Sequence, residues 1–118
     1  MSAVLALLVP GAEGRSALAA AAAEADRRGS RLVVAGEEAL LRTLADERGS
    51  SESLRAARTV EVEAPADGDA LASIVSDEGV DLVVVGMRRR EGAGRLLVAT
   101  PAMRAVLAVD APVLVVRP

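Results

Sequence analysis

Five short apolar runs punctuate the 118-residue chain, and helical patterns fill the gaps between most of them. The runs are Ala3–Val9, Arg31–Ala35, Arg58–Glu63, Asp81–Val85 and Pro112–Arg117. Between the first two, a helix at about Gly14–Arg28 places Leu18, Ala21, Ala22 and Ala25 on one face, and Gly29 stops it. That face is nearly all alanine, so this helix can lie close to a sheet. A second helix is expected at about Glu37–Arg48, ended by Gly49-Ser50-Ser51. Asp67 can cap a third, whose Leu71, Ile74 and Val75 make an apolar stripe before Gly79 ends it. A last helix is expected at about Pro101–Val109, with Met103, Val106 and Leu107 facing inward. Strands joined by helical crossovers build a parallel sheet with helices on both faces.

Strand texture orders that sheet. The runs at Ala3–Val9, Arg31–Ala35 and Asp81–Val85 are apolar at nearly every position, as when both faces are covered. Thr59-Val60-Glu61-Val62-Glu63 alternates, which suits an edge blunted by outward charges. The expected order is therefore 3-2-1-4-5. It leaves Val113-Leu114-Val115-Val116 as an apolar edge, a liability unless a second copy covers it. A homodimer through these four residues is the expected arrangement. The alternative is that the chain's own helices shield them.

Composition narrows the chemistry. The chain has no His, Cys, Phe, Trp or Tyr, and no Lys, Asn or Gln either, so all 14 basic residues are Arg. Imidazole bases, thiolates, Schiff bases and His or Cys metal ligands are absent with them. No aromatic ring is present to stack on a nucleobase. Only Ser and Thr remain as nucleophiles, with carboxylates as bases, and no catalytic set or metal site is expected. A net charge of −3 lacks the basic footprint of a nucleic-acid binder. The apolar start Ser2–Val9 lacks a basic segment before it and runs into the turn Pro10-Gly11, so it reads as a buried strand, not a signal segment. No apolar run approaches the roughly 20 residues of a membrane span. A cytoplasmic protein of one domain, residues 1–118, is expected.

A glycine- and arginine-rich loop, Gly86–Thr100, follows the fourth strand and precedes a helical pattern. Loops between a strand and a helix N-terminus are common phosphate sites in open α/β sheets. No Walker A sequence and no dinucleotide fingerprint is present. The block Asp81-Leu-Val-Val-Val-Gly86, this loop and Ala111-Pro-Val-Leu-Val-Val-Arg117 together resemble the universal stress protein (UspA) family. Gly11-Ala12-Glu13-Gly14 and Arg15-Ser16-Ala17-Leu18 are similar to that family's opening. The resemblance implies a Rossmann-like, UspA-type fold in the same 3-2-1-4-5 order, a strand-five dimer and a stress-response role. It also implies an adenine nucleotide, ATP or AMP with Mg for ATP, held by a motif reading Gly, two residues, Gly, nine residues, Gly, then Ser or Thr.

Carried over residue by residue, the candidates are Gly86, Met87, Arg88, Arg89, Arg90 and Thr100. Arg89 and Ala99 replace two of the motif's glycines. Arg89 lacks glycine's access to positive φ, although a guanidinium binds phosphate bidentately. Thr100 suits an N-cap, but Pro101 after it carries no N–H for an anion. Nucleotide-binding members carry an Asp at the end of the first strand, where this chain has Val9-Pro10-Gly11. Arg88-Arg89-Arg90 reads equally as a solvated loop, an anion clamp or a contact for an acidic partner. Glu13 and the pair Glu37-Glu38 read as first-turn helix residues. Two functions stay open. One is a dimeric stress-response module with a degenerate phosphate loop. The other is a regulatory protein that binds adenine nucleotide through Gly86–Arg90 and Thr100.

Overall fold

Parallel hydrogen bonding joins the five runs into one sheet of order β3-β2-β1-β4-β5. The computed structural model describes residues 2–47, 51–63, 68–87 and 107–118. The elements are β1 (Ala3–Leu8), α1 (Ala12–Arg28), β2 (Arg31–Gly36), α2 (Glu38–Glu47), α3 (Glu52–Arg55), β3 (Arg58–Glu61), α4 (Gly68–Glu78), β4 (Val80–Gly86) and β5 (Val113–Val116). The strand order inferred from texture is the order observed. The most apolar strand, β1, is buried at every position and pairs with both β2 and β4.

Because side chains alternate along a strand, the sheet feeds two cores. Leu5, Leu7, Val33, Val83 and Val85 face the side covered by Leu71, Ile74 and Val75 of α4. Val4, Ala6, Val34, Leu82 and Val84 face the side covered by α1, with Leu44 of α2 and Leu54 of α3. Each fully buried Leu or Val contributes about 1.5–3 kcal/mol of transfer free energy, so β1, β2 and β4 anchor the fold. The alanine face of α1 is buried as its spacing predicts, at Ala17, Leu18, Ala21, Ala22 and Ala25. Gly29 ends the helix in the left-handed conformation, φ 64°, and Ser30 N–H closes on the Ala25 carbonyl at 2.9 Å.

Two features depart from the sequence reading. The first is α3, a single turn in the stretch read as a connection. Its Ser51 side chain accepts from Leu54 N–H at 3.3 Å, which caps the turn and drops Leu54 into the core. The second is Leu107, which is 76% exposed and not turned inward. Val109 and Ala111, closer to β5, pack against the core instead. Asp67, Met103 and Val106 lie outside the described residues. No helix among the described residues is long and apolar enough to cross a membrane.

Asp26, near the end of α1, clamps α3 in place. Its carboxylate accepts from Ser51 Oγ at 3.0 Å, from Ser53 N–H at 3.3 Å and from Ser53 Oγ. The Ser53 and Ser51 hydroxyls hold the Asp26 pKa below the ordinary carboxylate value. A depressed folded pKa contributes stability above the unfolded pKa of about 3.9 and loses it as pH falls through the folded value. Urea midpoints of the wild type are therefore expected to fall more steeply on acidification than those of Asp26→Asn. Identical acid limbs would mean that the clamp carries no linkage. At the far end of the sheet, Glu78 of α4 receives Arg58 Nε at 2.9 Å and Arg31 Nη1 at 3.5 Å, tying α4 to the starts of β2 and β3.

Candidate functional site

In a 3-2-1-4-5 sheet the chain leaves β1 towards β2, while β4 flanks β1 on the other side. The crevice beyond the carboxyl ends of β1 and β4 is the topological switch point where such sheets bind ligands. Three segments meet there: the exit of β1, the first turn of α1 and the exit of β4.

Glycines bring them together. Gly11 has φ 84° and ψ −160°, a region essentially reserved for glycine, and serves as the N-cap of α1 without a side-chain cap. The turn closes with Arg15 N–H on the Gly11 carbonyl at 3.3 Å. Gly14 is buried, and a Cβ there would lie 1.9 Å from the Val9 carbonyl oxygen. Gly86 faces the preceding residue of the same turn: a Cβ on Gly86 would lie 2.0 Å from the Glu13 carbonyl oxygen. Positive φ is confined to Gly11, Gly29 and Gly79 among the described glycines. Gly86 is thus glycine because the α1 backbone presses against it, not because it turns the chain. The sequence reading places Gly14 in the family-like opening but gives it no packing role. Its signal was the Gly-x-x-Gly spacing of Gly11 and Gly14 at the start of a helix.

Met87 follows, half-buried against the core. Its N–H donates to the Val116 carbonyl at 2.9 Å and so extends the β4–β5 ladder. Of the six nucleotide candidates, the structure therefore places Gly86 against helix backbone and commits the amide of Met87 to β5. Arg88, Arg89, Arg90 and Thr100 lie outside the described residues. On the β2 side, Glu37 immediately precedes α2, its carbonyl accepting from Leu40 and Leu41 N–H at 3.0 Å each. Glu38 is engaged by Arg42 in an exposed ion pair one turn along the helix. Among the described residues no group of acids is arranged to hold a metal ion.

The second candidate surface is the outer side of β5. Leu114 is 37% and Val115 50% exposed, while Val113 and Val116 are half-buried. The amides of Val83 in β4 and of Met87 just after it reach the carbonyls of Pro112 and Val116, both at 2.9 Å. Even-numbered residues of β5 thus direct their backbone groups at β4. By the alternation of a strand, Val113 and Val115 direct theirs outward, where no described residue meets them.

A model of the universal stress protein family matches residues 15–117. A comparison with curated proteins gives no significant match. Among solved structures, a universal stress protein in complex with cAMP is 21% identical, with a TM-score of 0.68 over 98% of this chain and 96% of that one. UspA from Lactobacillus plantarum is 14% identical, with a TM-score of 0.69 over 98% and 97%. The universal stress protein from Archaeoglobus fulgidus in complex with dAMP is 18% identical, with a TM-score of 0.62 over 98% and 96%. At these identities the likeness to each is one of fold.

Proposed function

This chain belongs to the universal stress protein family, and on that basis we propose that it is a homodimeric stress-response module whose nucleotide cleft is degenerate, binding ATP weakly or not at all. The packing at the strand exits carries this reading. The first glycine of the phosphate motif, Gly86, is filled by Glu13 backbone, and the next amide, Met87, is spent on Val116. An incoming phosphate therefore has no donor in the Met87 amide, and Glu13 backbone occupies the space beside Gly86. The other candidates are the side chains of Arg88, Arg89 and Arg90 and the hydroxyl of Thr100, all outside the described residues. The cleft also lacks a carboxylate at Val9-Pro10-Gly11 to anchor a nucleoside. A buried polar anchor of that kind is worth about 1.5–3 kcal/mol when charged. With only Ser and Thr as nucleophiles and carboxylates as bases, we read the module as a binding protein, with slow ATP hydrolysis the one activity left open to it. It acts in the cytoplasm, with neither nucleic acid nor membrane as partner.

Calorimetric titration with ATP and magnesium tests this. Heat is expected to be absent, or to fit only dissociation constants of about 1 mM or weaker, near −4 kcal/mol. Micromolar binding overturns it in favour of the second reading, an adenine-nucleotide-regulated protein. That reading draws its support from structural neighbours solved with cAMP and with dAMP. In that case Arg89→Ala is expected to weaken ATP about tenfold, as for loss of one charge-assisted hydrogen bond.

A further inference from the structure

We propose that the cleft between α1 and α3 binds a short, extended peptide with free ends, its carboxylate on Arg15 and its ammonium on Asp26 and Ser51. The cleft holds about 400 Å³, a volume in the range of small-molecule sites. Buried Leu18, Ala22 and Leu54 floor it, and exposed Ala19 and Ala23 lie along its rim. Arg15 stands at one end of the α1 wall, Asp26 and Ser51 at the other. The cleft is separate from the crevice at the strand exits, because neither Gly86 nor Met87 nor the Gly11–Gly14 turn lines it.

Charge placement along α1 sets the two ends apart. The helix dipole favours acids in the first turn and bases in the last, and α1 follows that rule with Glu13, Arg27 and Arg28. Arg15 breaks it, is exposed, and joins no ion pair among the described residues. Asp26 breaks it at the other end, and the α3 clamp uses only part of its carboxylate. Each carboxylate oxygen accepts about two hydrogen bonds. Oδ1 is filled by the N–H and Oγ of Ser53, whereas Oδ2 receives Ser51 Oγ alone. Ser51 Oγ donates to Asp26 and accepts from Leu54 N–H, which leaves it one lone pair. Ser51 lines the cleft and Ser53 does not. Two neighbouring acceptors are thus open at this end, on a carboxylate and a hydroxyl, and the Ser53 and Ser51 hydroxyls keep that carboxylate ionised. An ammonium group supplies donors to both and the opposite charge. Arg55 adds its field to Asp26 but does not line the cleft. At the other end, the planar fork of Arg15 matches a carboxylate. The two ends are eleven residues apart on α1, about 16 Å between Cα positions. Three or four extended residues at about 3.3 Å each bridge most of that span, and the Arg15 side chain covers the remainder. The alanines leave room for small side chains, and the open rim leaves the peptide's own amides in water.

The proposal rests on neither the homodimer nor the nucleotide cleft, and its test leaves both standing. The probe is tetra-alanine, titrated into the isotope-labelled full chain and followed by NMR. It is expected to bind with a dissociation constant of about 1 mM and to shift the amides of α1 and α3 that line the cleft. N-acetylation and C-amidation of the peptide are each expected to weaken binding roughly tenfold, as for loss of one charge-assisted contact. Arg15→Gln removes the carboxylate's partner at an exposed position and so leaves the fold intact. That variant is expected to bind the free peptide about tenfold more weakly than the wild type does, and no better than it binds the amidated form. Absence of shifts up to about 10 mM peptide, or equal binding of a peptide capped at both ends, overturns the proposal. Shifts confined to the Gly11–Gly14 turn, Gly86 and Met87 place the peptide in the strand-exit crevice and overturn it as well. Binding of ω-aminooctanoate as tight as that of tetra-alanine overturns the peptide and assigns the cleft to linear amino acids.

Discussion

Gly14→Ala is expected to lose about 3 kcal/mol of folding stability or more, beyond the usual range for an overpacked core because the obstacle is backbone. The added methyl would meet the Val9 carbonyl oxygen at 1.9 Å and the Val9 nitrogen at 3.0 Å. No rotamer relieves such a clash. Either α1 lifts from the sheet, opening the alanine face that packs it, or the exit of β1 shifts. Both routes disturb Leu18, Ala21 and Ala22, which are buried against the strands. A loss of this size is a large fraction of the 5–15 kcal/mol typical of a domain. Gly29→Ala is the contrast: it incurs the left-handed strain of φ 64° but meets nothing within 4 Å, so it is expected to cost only about 1 kcal/mol. Lacking aromatic residues, the protein is followed through urea by circular dichroism. Equal midpoints for the two variants would contradict the close approach of α1 to the β1 exit.

The same contact shows where sequence reading succeeds and where it stops. Strand order was legible because burial leaves a compositional trace: β1, β2 and β4 are apolar throughout, whereas β3 carries outward charges at Arg58 and Glu61. Helix faces were legible for the same reason, and α4 buries Leu71, Ile74 and Val75 as spaced. Boundaries moved by one or two residues, because Gly36 and Gly86 continue ladders that their composition does not advertise. The α3 turn was missed because four residues carry too little periodicity, and its stability comes from Asp26, 25 residues away from Ser51. The site was legible only as a motif. A glycine looks the same in sequence whether it makes room for a phosphate or for another backbone. Only the distance from Gly86 to Glu13 tells the two apart, and that distance depends on how α1 packs, which a local pattern does not encode.

Edge chemistry separates the two ends of the sheet, and Val115→Glu exploits the difference. This variant is expected to be monomeric, its dissociation constant raised by at least about 100-fold, or some 3 kcal/mol. Val115 is half-exposed in one chain, so a carboxylate there is solvated and the fold survives. In the paired state it would sit beside the partner's strand, and two-fold symmetry doubles the penalty because each copy brings one such charge to the interface. The β3 edge provides the control. Arg58, Thr59 and Glu61 are exposed there and already discourage pairing, so Thr59→Glu is expected to leave sedimentation unchanged. If the chain shields β5 by itself, as its own helices were the alternative cover, Val115→Glu would instead lower stability and leave the association state of the wild type as it was. Sedimentation and urea midpoints measured on the same samples thus assign the exposed Leu114–Val115 edge either to a second copy or to the chain itself.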